Sequence, residues 1–284
     1  MTGIPLEDID AGTTKQWRED GVLLIKGAFT KFWLDIIAEG VEEAMLNPSP
    51  MARDYIGENG GRFFTDHHMC RRIDAFKKFE KDSNVTSLAA KIMGTSKLNY
   101  VDEHLLVKEP GTENATHWHQ DLPYYEIGGP DFGSFWIPLD PVDRDSGAVR
   151  FVRGSHRWGK VYQPIRIAEG VLVDEAKQYD GPAPDIDQNL DKYPVVSFDM
   201  NPGDALFFHA GVLHGAYPNK TADRRRRALS ARYAGADSYW QPRPYIPSRP
   251  ETPDLVEGGS LDSNEYPVVW SEQPSIPADP PNSG

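Results

Sequence analysis

Two short stretches of the chain carry side chains that could bind one metal ion together. His119 and Asp121 are separated by a single residue, so both side chains point to the same face if the backbone is a β-strand. A later stretch offers His209 and His214 as a third ligand, and the spacing alone favours neither. Two histidines and one carboxylate are the ligand set of non-haem iron(II) oxygenases, which leaves coordination positions open for other molecules.

Three further histidines are weaker candidates for the same metal ion. His117 has the same strand parity as the first two ligands, and we interpret it as a supporting or surface residue. His67 and His68 are adjacent, and neighbouring residues of a strand face opposite ways. We expect this pair to lie in an irregular segment, residues 51–72, over the mouth of the site.

The motif lies in an ordered series of segments that resembles the phytanoyl-CoA dioxygenase family of iron(II)- and 2-oxoglutarate-dependent oxygenases. The likeness extends from about residue 99 to residue 233, and its segments are 105–111, 118–123, 134–140, 146–156, 202–204, 214–219 and 226–230. The resemblance implies that His214 completes an Fe(2+) site with His119 and Asp121. It also implies a dioxygenase that uses O2 and 2-oxoglutarate to hydroxylate a small molecule, with release of succinate and CO2.

An arginine is expected to hold the far carboxylate of 2-oxoglutarate, since a guanidinium binds a carboxylate through two parallel hydrogen bonds. Residues 224–227 are four consecutive arginines. The family arginine lies two residues before the alanine of its strand, which selects Arg226, whereas counting from the distal histidine selects Arg225. We prefer Arg226, because strand pairing fixes register while loops absorb insertions.

The resemblance also implies further contacts for the cosubstrate and leaves the substrate open. Trp136 and His104 correspond to 2-oxoglutarate contacts, although relatives carry another residue type where this chain has His104. Ala216 replaces a serine that often helps to bind the cosubstrate in relatives. The candidates for the mouth of the substrate site are Tyr124, Tyr125, Arg232, Trp240 and the segment 160–194.

Many short strands separated by glycine turns must position these residues, and they predict a β-sandwich or barrel. The resemblance narrows the fold class to a mainly β protein with N-terminal helices (α+β), built on a double-stranded β-helix, the cupin-like jelly roll. We expect one domain over 1–284, with a helical support at 1–96, a jelly-roll core at 97–235 and an extended arm at 236–284. The core contains an insert at 160–194, whose length is typical of lids and binding loops.

Hydrophobic periodicity and capping residues predict the individual elements. The expected helices are 13–20, one from Thr30 to about residue 46, and one from Ser83 to Gly94. The expected strands are 22–25, 97–108, 134–140, 148–153, 195–199, 205–209 and 226–233.

Composition excludes several classes of partner. The 284 residues carry a net charge of −13, which argues against a nucleic-acid partner. No apolar run approaches the roughly 20 residues of a membrane span, and the residues after Met1 do not form a signal-peptide pattern. Cys70 is the only cysteine, so an intrachain disulfide is impossible and a cytoplasmic location is expected.

Two other functions are compatible with the same residues. A jelly-roll protein could bind a metal without catalysis, but it would not need an arginine on the last strand beside an intact ligand set. A cupin metalloenzyme could act without 2-oxoglutarate, and the formation of succinate would distinguish an oxygenase from it.

Overall fold

The computed structural model describes residues 2–57, 60–173, 179–243, 246 and 255–272. Its helices are α1 (Ala11–Asp20), α2 (Lys31–Leu46), α3 (Asp74–Asp82) and α4 (Val85–Met93). Its strands are β1 (Ile4–Pro5), β2 (Val22–Lys26), β3 (Arg53–Ile56), β4 (Arg62–His67), β5 (Lys97–Lys108), β6 (Thr116–His119), β7 (Ile127–Gly128), β8 (Phe132–Pro138), β9 (Val149–Val152), β10 (Ile165–Arg166), β11 (Val171–Leu172), β12 (Val195–Ser197), β13 (Ala205–His209), β14 (His214–Ala216), β15 (Arg226–Gly235), β16 (Tyr239–Trp240) and β17 (Val268–Ser271).

The helices begin and end at residues suited to capping. The Asp10 side chain accepts the backbone N–H of Thr13 at the start of α1, and Gly21 ends this helix in the left-handed conformation. The predicted second helix is α2. The predicted helix from Ser83 to Gly94 is α4, and α3, which was not predicted from the sequence, ends just before Ser83. None of the helices in the described ranges is long and apolar enough to cross a membrane.

Two sheets build the core of the molecule. The larger has the order β1-β2-β13-β8-β15-β5-β4-β3, with β17 also paired to β5, and the smaller has the order β12-β9-β14-β6. Alternate residues of β13 belong to different hydrophobic clusters. Phe207 packs with the helices on the outer face of the larger sheet, and Phe208 packs with residues of the smaller sheet. Burial on both faces explains why this strand is apolar throughout.

The prediction that residues 51–72 are irregular is wrong. They contain the hairpin β3–β4, and β4 extends the larger sheet by pairing with β5 from Phe63 to His67. The exposed, polar edge strand β3 lacks a hydrophobic alternation, which hid it in the sequence. The insert 160–194 contains the short hairpin β10–β11, while residues 174–178 lie outside the described part. In the predicted arm, β17 pairs with β5, and residues 273–284 lie outside the described part.

Candidate metal and cosubstrate site

Neighbouring strands of the smaller sheet bring two histidines together. β6 pairs antiparallel with β14, and His119 lies directly opposite His214. Asp121 lies just beyond β6, at the start of a short 3-10 helix. Ring nitrogen and carboxylate oxygen atoms of these three side chains all lie within 4.8 Å of one another. Strand register and short-range spacing therefore assemble three possible ligands in one buried cluster.

The hydrogen bonds of the two histidines leave one nitrogen of each ring available to a metal ion. Nδ1 of His119 donates to the carbonyl oxygen of His117 at 2.8 Å, and Nδ1 of His214 donates to that of Val212 at 3.1 Å. Because a carbonyl oxygen only accepts, each proton lies on Nδ1 and each Nε2 keeps its lone pair. These Nε2 atoms lie 3.6 and 3.7 Å from Oδ1 of Asp121. Burial, followed by the charge of His119, lowers the pKa of His214 to about 3, so its ring is neutral.

The third possible ligand is oriented by an arginine. Nε of Arg232 donates to Oδ2 of Asp121 at 3.0 Å, so Oδ1 is the oxygen that faces the histidines. Burial alone would raise the pKa of Asp121, but Arg232 and the neighbouring histidines hold it well below its usual range. Nη1 of Arg232 also lies 3.9 Å from Oδ2 of Asp102. The guanidinium therefore lies between two buried carboxylates.

Asp102 connects this arginine to a second group of histidines. It accepts hydrogen bonds from the hydroxyl of Tyr125 at 2.9 Å and from Nδ1 of His67 at 3.0 Å. Nδ1 of His68 lies 3.2 Å from its other oxygen. The expectation that the two adjacent histidines face opposite ways is wrong, because His68 has a left-handed backbone (φ 54°) that turns its ring back. The alternation of β5 could have placed Asp102 near the metal cluster.

His209 and His117 lie away from the three possible ligands. Nε2 of His209 donates to the carbonyl oxygen of Pro130 at 2.9 Å, and its Nδ1 accepts the N–H of Gly211 at 2.9 Å. Both ring nitrogens are therefore in use, and the ring packs against Trp17. His117 is exposed at the surface beside the insert, whose Ile167 carbonyl oxygen accepts its backbone N–H.

A cavity adjoins the cluster and contains the expected cosubstrate residues, Arg226, Trp136 and His104, in its walls. Arg226 is only 2% exposed, and its guanidinium lies 5.5 Å from the ring centre of Trp136. Its Nη1 donates to the carbonyl oxygen of Leu106 at 3.2 Å, while the buried Nε has no partner within the described residues. Burial lowers the pKa of Arg226 to about 10, so it is charged at neutral pH.

The other arginines of the run bind acids near the surface. Arg225 forms hydrogen bonds with Glu109, as close as 2.7 Å. Arg227 binds Asp140 at 2.8 Å. Arg226, which the position of the family arginine before its alanine selects, therefore lies in the wall of the cavity, whereas Arg225, which counting from the distal histidine selects, lies outside it.

A sequence model of the family described as phytanoyl-CoA dioxygenase (PhyH) matches residues 17–228. The chain belongs to the phytanoyl-CoA dioxygenase family. A probable phytanoyl-CoA dioxygenase of Caenorhabditis elegans is 28% identical over 168 residues, which are 55% of this chain and 50% of the relative. A probable alpha-ketoglutarate-dependent hypophosphite dioxygenase of Stutzerimonas stutzeri is 27% identical over 173 residues, 59% of this chain and 55% of the relative. The chain spans about half the length of these curated relatives.

A solved structure extends the likeness over nearly the whole fold. The non-haem alpha-ketoglutarate-dependent epimerase SnoN from nogalamycin biosynthesis superposes with a TM-score of 0.71 at 20% identity. The match covers 94% of this chain and 98% of that one. The predicted jelly-roll fold is confirmed, and the N-terminal helices pack on the larger sheet as a shared part of it.

Of the four side chains predicted for the mouth, only Tyr124 lines the wider opening beside the metal cavity in this member of the PhyH family, together with residues 165–169 of the insert. Its hydroxyl donates to the carbonyl oxygen of Ile165 at 2.6 Å and accepts the N–H of the same residue at 2.8 Å, which ties the insert to the site. Tyr125 is buried and donates a hydrogen bond to Asp102, and Arg232 donates one to Asp121. Trp240 packs against the hydrophobic cluster that contains Ile127 and Tyr125.

Proposed function

We propose that this chain is an oxygenase that depends on iron(II) and 2-oxoglutarate and hydroxylates a small molecule, with release of succinate and CO2. One observation carries the proposal: Arg226 is buried in the same cavity as the three possible metal ligands, with no carboxylate partner in the described residues. A buried cation without a counter-charge is costly. The cavity therefore suits an anion that reaches from Arg226 to the metal site.

Each part of the cavity has a distinct role in this proposal. Nε2 of His119, Nε2 of His214 and Oδ1 of Asp121 would hold the iron, which supplies the activation of oxygen when bound. Arg226 would bind the far carboxylate of 2-oxoglutarate, with Trp136 flanking the carbon chain. Burial of these walls excludes water, which strengthens the charge interactions inside.

An anaerobic titration tests the proposal. Iron(II) and 2-oxoglutarate together should produce the weak visible charge-transfer band of the chelate, and neither should do so alone. His214→Ala should abolish the band, whereas the control His209→Ala should retain it, because His209 binds Pro130 and Gly211 instead. Iron binding without a band in the wild type would contradict the use of 2-oxoglutarate, and succinate should appear when oxygen is admitted.

A further inference from the structure

A second and wider opening lies beside the metal cavity. The two spaces share His104, Leu106 and Ile167 in their walls, so they adjoin one another. The hairpin β3–β4 forms one side of this vestibule, and residues 165–169 of the insert form the other. A substrate bound in the vestibule would therefore lie beside the metal cavity.

The inner walls of the vestibule are aromatic and apolar. The rings of Tyr55 and Phe63, which face each other across the hairpin, are 6.0 Å apart. Tyr124 lies at the junction with the insert, and its two hydrogen bonds to Ile165 fix the position of its ring. Such a surface fits the hydrocarbon body of a small molecule rather than a strongly hydrated one.

The charge at the rim has the opposite sign to that of the whole chain. Arg166 lies 3.5 Å from Glu169, so these two charges offset one another. Arg53 donates only to backbone carbonyl oxygens, such as that of Ala52 at 2.9 Å, and forms no ion pair within the described residues. On a protein of net charge −13, the vestibule therefore has an uncompensated positive charge.

An unpaired polar group lies where the vestibule meets the metal cavity. His104 is 9% exposed, and its Nε2 has no hydrogen-bond partner among the described residues. Its ring stacks on His67 at 3.9 Å. Buried polar atoms normally have partners, so an unpaired one in the wall of a cavity points to a ligand that supplies the missing contact.

We propose that the vestibule binds an amphipathic organic anion, with its apolar body against Tyr55, Phe63 and Tyr124 and its anionic group at Arg53. A polar part of the same molecule would meet His104 at the entrance to the metal cavity. The identification of this anion as the substrate rests on the proposed function, but its binding requires neither iron nor 2-oxoglutarate.

Two fluorescent probes of similar aromatic structure test the proposal on the metal-free protein. 8-Anilinonaphthalene-1-sulfonate is an anion, and N-phenyl-1-naphthylamine lacks the sulfonate. The anionic probe should bind more tightly, and Arg53→Ala should weaken it about fivefold, since an exposed ion pair contributes little. The neutral probe should bind Arg53→Ala as it binds the wild type. Arg157→Ala, at an arginine outside the vestibule, is the matched control and should change neither affinity.

A blocking variant shows whether the probes occupy the vestibule. Ala168→Trp places a large ring in its wall and should abolish binding of both probes. Unchanged binding in this variant, or equal loss of the two probes in Arg53→Ala, would overturn the proposal. The iron and 2-oxoglutarate band should remain in Arg53→Ala. Absence of that band in the wild type would refute the proposed function and leave the binding result standing.

Discussion

Two buried arginines on one face of β15 differ in what surrounds their charge. Arg232 lies between the carboxylates of Asp121 and Asp102, at 3.0 and 3.9 Å. Arg226, on the same strand face, has no carboxylate partner in the described residues and donates to a carbonyl oxygen. Burial lowers the pKa of Arg226 to about 10, whereas at Arg232 the carboxylates outweigh burial and raise the pKa.

The neighbouring strand explains the difference. In the register of β15 with β5, Asp102 is opposite Arg232, whereas Lys108 is opposite Arg226. Asp102 adds a cross-strand carboxylate to the closer contact that Arg232 makes with Asp121, whereas the residue opposite Arg226 is a base and supplies no counter-charge. A buried arginine can therefore either pair with the protein's own acids or remain available to bind a ligand. The cross-strand partner distinguishes the two cases.

Arg226→Ala should have the largest effect of these variants, on the affinity for 2-oxoglutarate. Removing one partner of a buried, hydrogen-bonded charge pair costs about 2–5 kcal/mol. The affinity for 2-oxoglutarate should therefore fall roughly 30-fold or more, since about 1.4 kcal/mol is tenfold. Anaerobic calorimetric titration of the iron(II) protein measures this change. The control Arg225→Ala should bind normally, because Arg225 is occupied by Glu109; equal losses in the two variants would refute the assignment.

Arg232→Met should instead weaken the metal. Loss of the group that orients a ligating carboxylate typically costs about 10–100-fold in metal affinity. Competition with a chromophoric chelator measures the affinity for iron(II), and the 2-oxoglutarate affinity at saturating iron should change much less. Arg227→Met, which removes an arginine paired with Asp140 outside the cavity, serves as the control. An unchanged metal affinity in Arg232→Met would show that Asp121 does not need this partner.

The sequence predicted the parts of the site that depend on short spacing or strand register. His119 and Asp121 are two residues apart, and the position of Arg226 two residues before Ala228 selects it from the four arginines. The sequence also suggests Tyr125 and Arg232 for the mouth, because it does not show which partners these side chains bind. Asp102, which engages both, lies on a distant segment.

Other features could not be predicted because they depend on the conformation of a single residue or on contacts at an edge. The left-handed backbone of His68 reverses the direction that strand alternation assigns to it. In the hairpin β3–β4, only β4 pairs with β5. β3 is an exposed edge strand, so its sequence shows no hydrophobic alternation. This hairpin forms a wall of the vestibule, so the sequence predicted the residues of the metal site but not those of the vestibule beside it.

Lys108→Met should have the smallest effect of these variants, and it tests the charge that lies opposite Arg226. Lys108 is 0% exposed, and its Nζ donates to the carbonyl oxygen of Tyr217 at 2.9 Å. Methionine keeps the apolar stem but removes a charge beside Arg226. The affinity for 2-oxoglutarate should fall by less than in Arg226→Ala, because the direct guanidinium contact remains. The stability should change by only about 1 kcal/mol, since the lost hydrogen bond is offset by the amine no longer being buried.

Lys108→Met should also change how the free energy of unfolding depends on pH. Burial, followed by the charges of Arg226 and Arg150, holds the pKa of Lys108 well below its usual 10.5. Between the folded and the unfolded pKa, the unfolded chain binds more protons, so the free energy of unfolding rises with pH up to about 10.5. Lys108→Met should lack that part of the rise, which urea denaturation at a series of pH values from 8 to 10 measures. An equal slope in the variant and the wild type would mean that Lys108 keeps an ordinary pKa.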